Sequence, residues 1–225
     1  MPTTDDELGR RVAAEALGTF FLLLAVIGSG IMAETLSPND VGLQLLENSF
    51  ATAGALVCLI LVFGETSGAH FNPAVTLWAR SEGQIDNRTT AGFIGAQIVG
   101  GIAGVIAANI IFDLDPIFWS TKNRGDWNLF VSEIIATFGL LMVIIGCVRS
   151  GKERFVAFAV AAYIAGAYFF TSSTSFANPA VSIARGFSDT FAGIRPADAP
   201  QFILAQLIGA TLAVLTMRYI QPRRD

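Results

Sequence analysis

The chain has 225 residues, of which 53% are hydrophobic and 14% are charged, and its mean hydropathy is +0.58. This composition argues against a soluble globular domain and predicts a protein that crosses a membrane several times. A net charge of −4 provides no basic patch for nucleic acid, and one histidine with two cysteines leaves almost no material for a metal site or a disulfide framework. We therefore expect no cofactor, no metal and no nucleic-acid partner.

Six apolar segments follow one another along the chain, and each reaches or approaches the roughly 20 residues that a spanning helix needs. We predict spans at residues 12–33, 48–64, 91–112, 129–148, 155–171 and 201–219. Two shorter apolar pieces, at 72–80 and 178–186, begin with the same tetrapeptide, Asn-Pro-Ala-Val. They are too short to cross a bilayer and are predicted to be re-entrant half-helices. The acidic start of the chain and Glu15 within the first apolar run argue against a cleavable signal peptide.

The distribution of basic residues predicts the orientation in a cell (inner) membrane. With the N-terminus inside, ten basic residues fall on the cytoplasmic side: Arg10, Arg11, Arg80, Arg88, Arg149, Lys152, Arg154, Arg218, Arg223 and Arg224. Four fall on or near the outer side: Lys122, Arg124, Arg185 and Arg195. Because short cytoplasmic loops carry the excess of Lys and Arg, we expect both termini in the cytoplasm.

An internal repeat divides the chain near residue 120. Three pairs of segments match in the same order: EALGTF at 15–20 with EIIATF at 133–138, NPAV at 72–75 with NPAV at 178–181, and AQIVG at 96–100 with AQLIG at 205–209. Residues 1–120 and 121–225 each hold three spans, which is an odd number, so the two repeats are predicted to be inverted relative to each other.

The two Asn-Pro-Ala motifs are Asn72, Pro73, Ala74 and Asn178, Pro179, Ala180. Asn is a preferred N-cap and Pro is tolerated at the first helical position, so both motifs predict helix starts. In an inverted repeat the two N-termini face each other, and their positive dipole ends oppose cations while the Asn amides donate to water or a hydroxyl. The alternative is two buried turns with no transport role, which would leave donors unsatisfied without a polar pore.

These features together resemble the aquaporin, or major intrinsic protein, family. The resemblance is carried by SGAHFNPAVTL, the second NPAV, the Glu-x-x-x-Thr-Phe pair and the Ala-Gln pair. It implies an all-α membrane protein, an inverted repeat with six transmembrane helices and two re-entrant half-helices. It also implies a pore in each subunit of a homotetramer and passive movement of water or small uncharged solutes through the lipid bilayer.

The family resemblance further implies a filter of four residues near the outer mouth. Its most characteristic member is an Arg three positions after the second NPA Asn, where this chain has Val181. Ungapped alignment from the NPA motifs gives Thr52, Gly166 and Ser175 as the other three. This set is small and uncharged, which predicts a wide filter. The segment around 175–198 resembles a bacterial arsenic-resistance-associated subgroup of glycerol channels, which implies passage of arsenite, antimonite, methylated arsenicals and glycerol.

Three intramembrane groups and one basic residue complete the candidate site. Glu15 and Glu133 are functional candidates because carboxylates in spans are costly, but the resemblance implies that they brace the re-entrant loops by accepting backbone N–H bonds. His70, just before the first motif, is expected to hydrogen-bond the loop near the cytoplasmic pore lining, the alternative being a titrating gate. Arg185 falls on the same face of the second half-helix as Asn178 and Val181. It is either a charge in the outer vestibule that repels cations, or a basic residue in the last helical turn that interacts favourably with the helix dipole.

Three other functions remain open from the sequence, and one of them is a purely structural, junction-type role, against which the small filter argues. A general glycerol and water facilitator would have the same motifs. A coupled secondary transporter also uses inverted repeats, but the spans offer few titratable groups for it. No nucleophile–base pair supports an enzyme, and no catalytic residue is assigned.

Overall fold

The structure is a computed structural model that describes residues 5–222. In this range the chain forms eight α-helices: α1 (Asp5–Leu36), α2 (Val41–Ser67), α3 (Pro73–Ser81), α4 (Asn87–Ile111), α5 (Trp127–Arg149), α6 (Val156–Phe170), α7 (Pro179–Ala184) and α8 (Ala199–Ile220). Short 3-10 turns lie at Glu153–Phe155, Arg185–Phe187 and Pro196–Asp198. The described residues contain no β-strand, as an all-α fold requires.

Six helices, α6 and α8 taken together with the 3-10 turns that precede them, are long and apolar enough to cross a membrane, which confirms the predicted spans. Two of the helices, α2 and α4, begin before their apolar segments because a capping side chain sets the first residue of each. Thus α2 begins at Val41 rather than near residue 48, since Asp40 Oδ1 accepts the N–H of Leu43 at 2.9 Å. Asp86 caps α4 in the same way, accepting the N–H of Thr89 at 2.7 Å.

The two short apolar pieces form the half-helices α3 and α7. The second is shorter than predicted: regular α-helix ends at Ala184, and residues 185–187 continue it as a 3-10 turn. The two half-helices contact each other through their first residues and lie among the long helices. The N-terminal ends of two helices are therefore buried together in the centre of the protein.

Glycines allow the closest helix contacts. A Cβ added to Gly100 or Gly104 of α4 would lie 2.2 Å from a backbone oxygen of α1, and one added to Gly209 of α8 would lie 2.3 Å from a backbone oxygen of α5. Since these backbones touch, no larger residue fits. The α1–α4 pair in the first half is thus matched by the α5–α8 pair in the second.

This matched packing supports the division into repeats at 1–120 and 121–225, which stays a prediction. The placement of both termini in the cytoplasm also stays a prediction. Arg223 and Arg224, which contributed to the charge count, lie outside the described residues.

Candidate channel through the centre of the fold

Each asparagine of the two Asn-Pro-Ala motifs begins a half-helix. Asn72 Oδ1 accepts the backbone N–H of Ala74 at 2.9 Å, and Asn178 Oδ1 accepts that of Ala180 at 3.0 Å. The proline that follows each asparagine occupies the first helical position, where no amide hydrogen is needed. Both helix starts predicted from the sequence are therefore confirmed.

The same two side chains also join the motifs to each other. Asn72 Nδ2 donates to the carbonyl of Ala177 at 2.8 Å, and Asn178 Nδ2 donates to the carbonyl of Phe71 at 2.8 Å. Each amide carries a second N–H, for which the described residues provide no acceptor. Because both asparagines line the central cavity, each has a donor available to a hydroxyl group inside it.

Glu15 holds the loop that precedes the first motif. Its Oε1 accepts the backbone N–H of His70 at 2.9 Å and the hydroxyl of Ser67 at 2.6 Å. Its Oε2 accepts the N–H of Phe71 and the side-chain amide of Gln97, both at 2.7 Å. The carboxylate is fully buried and makes four hydrogen bonds, which is the geometry that a bracing role requires.

Glu133 makes the corresponding bonds in the second half. It accepts the backbone N–H groups of Phe176 and Ala177 at 2.9 Å and the side-chain amide of Gln206 at 2.6 Å. It too is fully buried. The two braces therefore use the same residue types at equivalent positions.

These braces hold strained backbone. Phe71 has φ +49° and Ala177 has φ +48°, and Ala69 and Ser175 are also left-handed, with φ +49° and +51°. A non-glycine residue in this region costs about 1–3 kcal/mol. The carboxylate bonds offset this strain and turn successive N–H groups of each loop toward one acceptor.

A cavity of about 600 Å³ runs past the junction of the two half-helices. The outer end of this cavity is the part near the end of α6, which is lined by Thr52, Ser175, Val181 and Arg185. The inner end is the part near the end of α2. Asn72, Asn178 and His70 also line it. The other predicted residues are buried but are not part of this lining: Pro73, Ala74, Pro179, Ala180, Glu15 and Glu133.

Two buried polar groups in the lining have no partner among the described residues: Ser175 Oγ and Trp78 Nε1. Both side chains are more than nine-tenths buried. An unsatisfied buried polar group is costly unless a solute or water binds it. The sequence prediction included Ser175 but missed Trp78, because an indole within a short apolar helix is ordinarily a packing residue.

The placement of Gly166 in the filter is wrong. Gly166 is exposed on the outer surface of α6, and a Cβ there would meet only the ring of Phe170, at 3.6 Å. The face of α6 toward the cavity is instead formed by Val160, Ile164 and Tyr168. Residue 166 lies two positions from both Ile164 and Tyr168, about 200° around the helix. The hydroxyl of Tyr168 lies 3.2 Å from Thr52 Oγ1, so Tyr168 takes the place assigned to Gly166.

Comparison with known proteins agrees with this geometry. The sequence model of the major intrinsic protein family matches residues 3–155. The chain is 48% identical over 219 residues to the aquaglyceroporin AqpS of Rhizobium meliloti (strain 1021), with 97% of this chain and 93% of the relative covered. The chain belongs to the major intrinsic protein family.

Two further relatives extend over nearly the whole length. Aquaporin AqpM of Methanothermobacter thermautotrophicus is 28% identical, with 95% of this chain and 98% of the relative covered. The X-ray structure of the aquaglyceroporin from Plasmodium falciparum matches with a TM-score of 0.70 at 23% identity, covering 94% of this chain and 95% of that one. Major intrinsic proteins of this kind are membrane channels and not enzymes, and the same holds for this chain.

Arg185 is part of the channel wall, although α7 ends before it. Its side chain is 2% exposed, and its guanidinium lies over the ring of Phe176, with 3.5 Å from Cζ to the ring centroid. Its Nε donates to the carbonyl of Ala192. Position 181, where the family resemblance implies an arginine, holds a buried valine in the same lining. A buried cation is thus retained at the outer end, one turn beyond its expected position.

Proposed function

We propose that this chain is an aquaglyceroporin-type channel that conducts small uncharged hydroxylated solutes. The proposed solutes are glycerol, water and the trivalent metalloid acids arsenite and antimonite, together with methylated arsenicals. The observation that carries the proposal is the lining of the cavity. Hydrogen-bond donors from Asn72, Asn178 and Ser175 alternate there with apolar side chains, and valine stands at position 181.

The lining suits a solute that has hydroxyl groups on one side and apolar surface on the other. The inner half of the cavity presents Val75, Ile144, Val148 and Val160, which offer no hydrogen bonds. Beside this apolar wall, the amides of Asn72 and Asn178 and the side chains of His70 and Trp78 offer hydrogen bonds that replace part of the water a solute loses, whereas a fully hydrated ion would lose too much solvation to pass. Arsenous acid is uncharged at pH 7 and carries three hydroxyls, as glycerol does, so both fit this lining.

Tyr168 changes the expected width of the filter. With Tyr168 in place of Gly166, the outer end consists of Thr52, Tyr168, Ser175 and Val181. The phenol ring occupies space that a glycine would leave open, and its hydroxyl adds a polar group. We propose that Val181 keeps the filter wide enough for polyols and metalloid acids even though Tyr168 narrows one wall.

The proposed assembly is a homotetramer in the cell (inner) membrane, with both termini in the cytoplasm. Large apolar side chains are exposed on α1, α2, α4, α5, α6 and α8, as expected for helices that face lipid or other subunits. The family resemblance supports the tetramer.

Light-scattering measurements on proteoliposomes test the proposed solutes. Water, glycerol and arsenite permeability are measured side by side in the same preparation, with empty liposomes as the baseline. We expect all three solutes to permeate above the baseline. Fast water flux without glycerol or arsenite entry would contradict the proposal.

A matched pair of variants tests the filter. Val181→Arg places a long side chain in the outer end and is expected to reduce glycerol and arsenite flux roughly tenfold, whereas Val181→Leu stays within about twofold of the wild type. The same glycerol and arsenite flux in Val181→Arg as in the wild type would show that residue 181 does not limit passage.

The alternative of a coupled transporter is distinguished by the same preparation. A channel gives solute uptake that follows only the solute gradient, and an imposed proton gradient leaves the rate unchanged. Accumulation against the solute gradient when protons flow inward would favour the transporter.

A further inference from the structure

A second buried arginine lies beside Arg185, outside the cavity. Arg124 belongs to the connection between α4 and α5, is 7% exposed and does not line the cavity. Its Cζ lies 4.9 Å from the centroid of the Phe176 ring, the same ring that Arg185 covers at 3.5 Å. Phe176 itself lines the outer end. One aromatic ring of the channel wall therefore contacts two guanidinium groups.

The side chain of Arg124 is held by neutral groups. Its Nε donates to the carbonyl of Gly193 at 2.9 Å, and its Nη1 donates to the carbonyl of Ser173 at 3.0 Å. Neither Arg124 nor Arg185 takes part in an ion pair with a carboxylate among residues 5–222. Burial lowers the pKa of Arg124 to about 10, so it remains charged at pH 7. Two guanidinium groups thus lie at the outer end with no carboxylate in a salt bridge to either; Asp198 accepts only the backbone N–H of Arg124, at 2.8 Å, and the Glu133 carboxylate acts on both charges from a distance.

The electrostatic field of the two arginine charges extends further when little water surrounds them. The field of an exposed charge is screened by solvent, but that of a buried charge is screened far less. Phe176 separates Arg124 from the cavity with an apolar ring that screens weakly. A cation at the outer end is therefore repelled by both arginines, while an uncharged solute carries no net charge for them to repel.

We propose that Arg124 is a specificity-determining residue that excludes cations from the channel, acting with Arg185 across Phe176. Together they supply the positive charge that position 181 lacks. This inference rests on the proposed function, because it concerns the selectivity of the same path. Arg124 acts from behind the wall and does not touch the solute.

The experiment compares ion leak with glycerol uptake in proteoliposomes. Arg124→Gln removes the charge, Arg124→Lys keeps the charge but loses the forked donor geometry, and Lys152→Gln removes an exposed charge from the connection between α5 and α6. We expect Arg124→Gln to raise potassium leak about tenfold with glycerol uptake within about twofold of the wild type. Arg124→Lys and Lys152→Gln are expected to keep potassium leak near the wild-type level, because the former retains the buried charge and the latter removes a solvent-screened charge outside the cavity lining.

Two results would overturn the proposal. Reduced glycerol uptake in Arg124→Gln with unchanged potassium leak would show that Arg124 only positions the loop through Ser173. An equal potassium leak in Arg124→Lys and Arg124→Gln would show that the planar donor geometry of the guanidinium, and not its charge, controls the leak.

A measurement on the wild type covers the case in which Arg124→Gln does not fold. Its residual ion leak is expected to favour chloride over potassium, and a preference for potassium would overturn the inference. Absence of glycerol and arsenite uptake in the wild type would overturn the proposed solutes instead. The leak ratios, normalised to water flux, would still decide the role of Arg124.

Discussion

Replacing Glu133 by Gln tests whether the buried carboxylate holds the outer loop of the channel. The substitution preserves size and shape but exchanges one acceptor oxygen for an NH₂ group. Glu133 receives three donors: two backbone N–H groups, from Phe176 and Ala177, and the amide of Gln206. Whichever way the new side-chain amide is oriented, its NH₂ group faces at least one of these N–H donors, and that hydrogen bond is lost.

The expected cost follows from those bonds. One orphaned buried N–H costs about 1–3 kcal/mol, and the two remaining bonds lose the charge that strengthened them, which adds about 1 kcal/mol. We therefore expect the variant to be about 3 kcal/mol less stable than the wild type. For a chain of this size that lowers the melting temperature by about 6–12 °C. Ala177, left-handed at φ +48°, is also free to relax, which moves Phe176 and Ser175 in the channel wall.

Thermal unfolding in detergent and glycerol uptake in proteoliposomes measure the two effects. Asp115→Asn is the matched control, since Asp115 is exposed in the connection between α4 and α5 and does not line the cavity. We expect a lower melting temperature and reduced glycerol uptake in Glu133→Gln and neither change in the control. A melting temperature and uptake equal to those of the wild type would refute the bracing argument.

Three further substitutions follow from individual contacts. Glu82→Gln weakens a buried ion pair with Arg149 (3.1 Å, side chains 4% and 7% exposed) and is expected to destabilise the protein by about 3 kcal/mol, measured by thermal unfolding. An unchanged melting temperature would contradict this. Gly209→Ala places a Cβ 2.3 Å from the carbonyl oxygen of Ile134 and should cost about 1–3 kcal/mol in the same assay, whereas Gly95→Ala, where nothing lies within 4 Å, should cost little. Tyr168→Ala opens the outer end and should admit larger polyols, such as five-carbon alditols; no gain in their uptake would show that Tyr168 does not limit the width.

The sequence predicted the elements because their signals are local. A run of apolar residues of bilayer length is sufficient for a spanning helix, and Asn-Pro is sufficient for a helix start, wherever it occurs. The repeated motifs then located both half-helices. What the sequence could not give was the end of α7, where regular helix stops at Ala184 and a 3-10 turn follows, because the contacts of Arg185 at this point, such as its Nε with the carbonyl of Ala192, come from a later loop.

The filter residues were harder to predict because aligning them with the family depends on the lengths of the loops between the helices. Counting back from the second motif assumes that the connection between α6 and α7 has the same length as in relatives, and a difference of two residues exchanges Gly166 for Tyr168. The stripe of Val160, Ile164 and Tyr168, with spacing of four residues, is the signal that could have identified the cavity face of α6. Arg124 had no local signal, since its contacts with Phe176 and Ser173 join segments about fifty residues apart.

The two halves share a backbone but differ in the side chains that it presents. Left-handed residues precede both motifs, and both loops are held by a buried glutamate. At the position just before the strained Phe71 the first loop carries His70, whose ring lies 3.1 Å from Thr76 Oγ1. The equivalent position in the second loop carries Phe176, which contacts two arginines. The apolar ring of Phe176 screens the two nearby arginine charges only weakly, so their field reaches the path. The imidazole of His70 offers a hydrogen bond instead. Since the symmetric parts are common to both ends, the proposed difference in selectivity between the outer and inner ends depends on side chains that differ between the two loops, and Phe176 with its two guanidinium contacts is one of them.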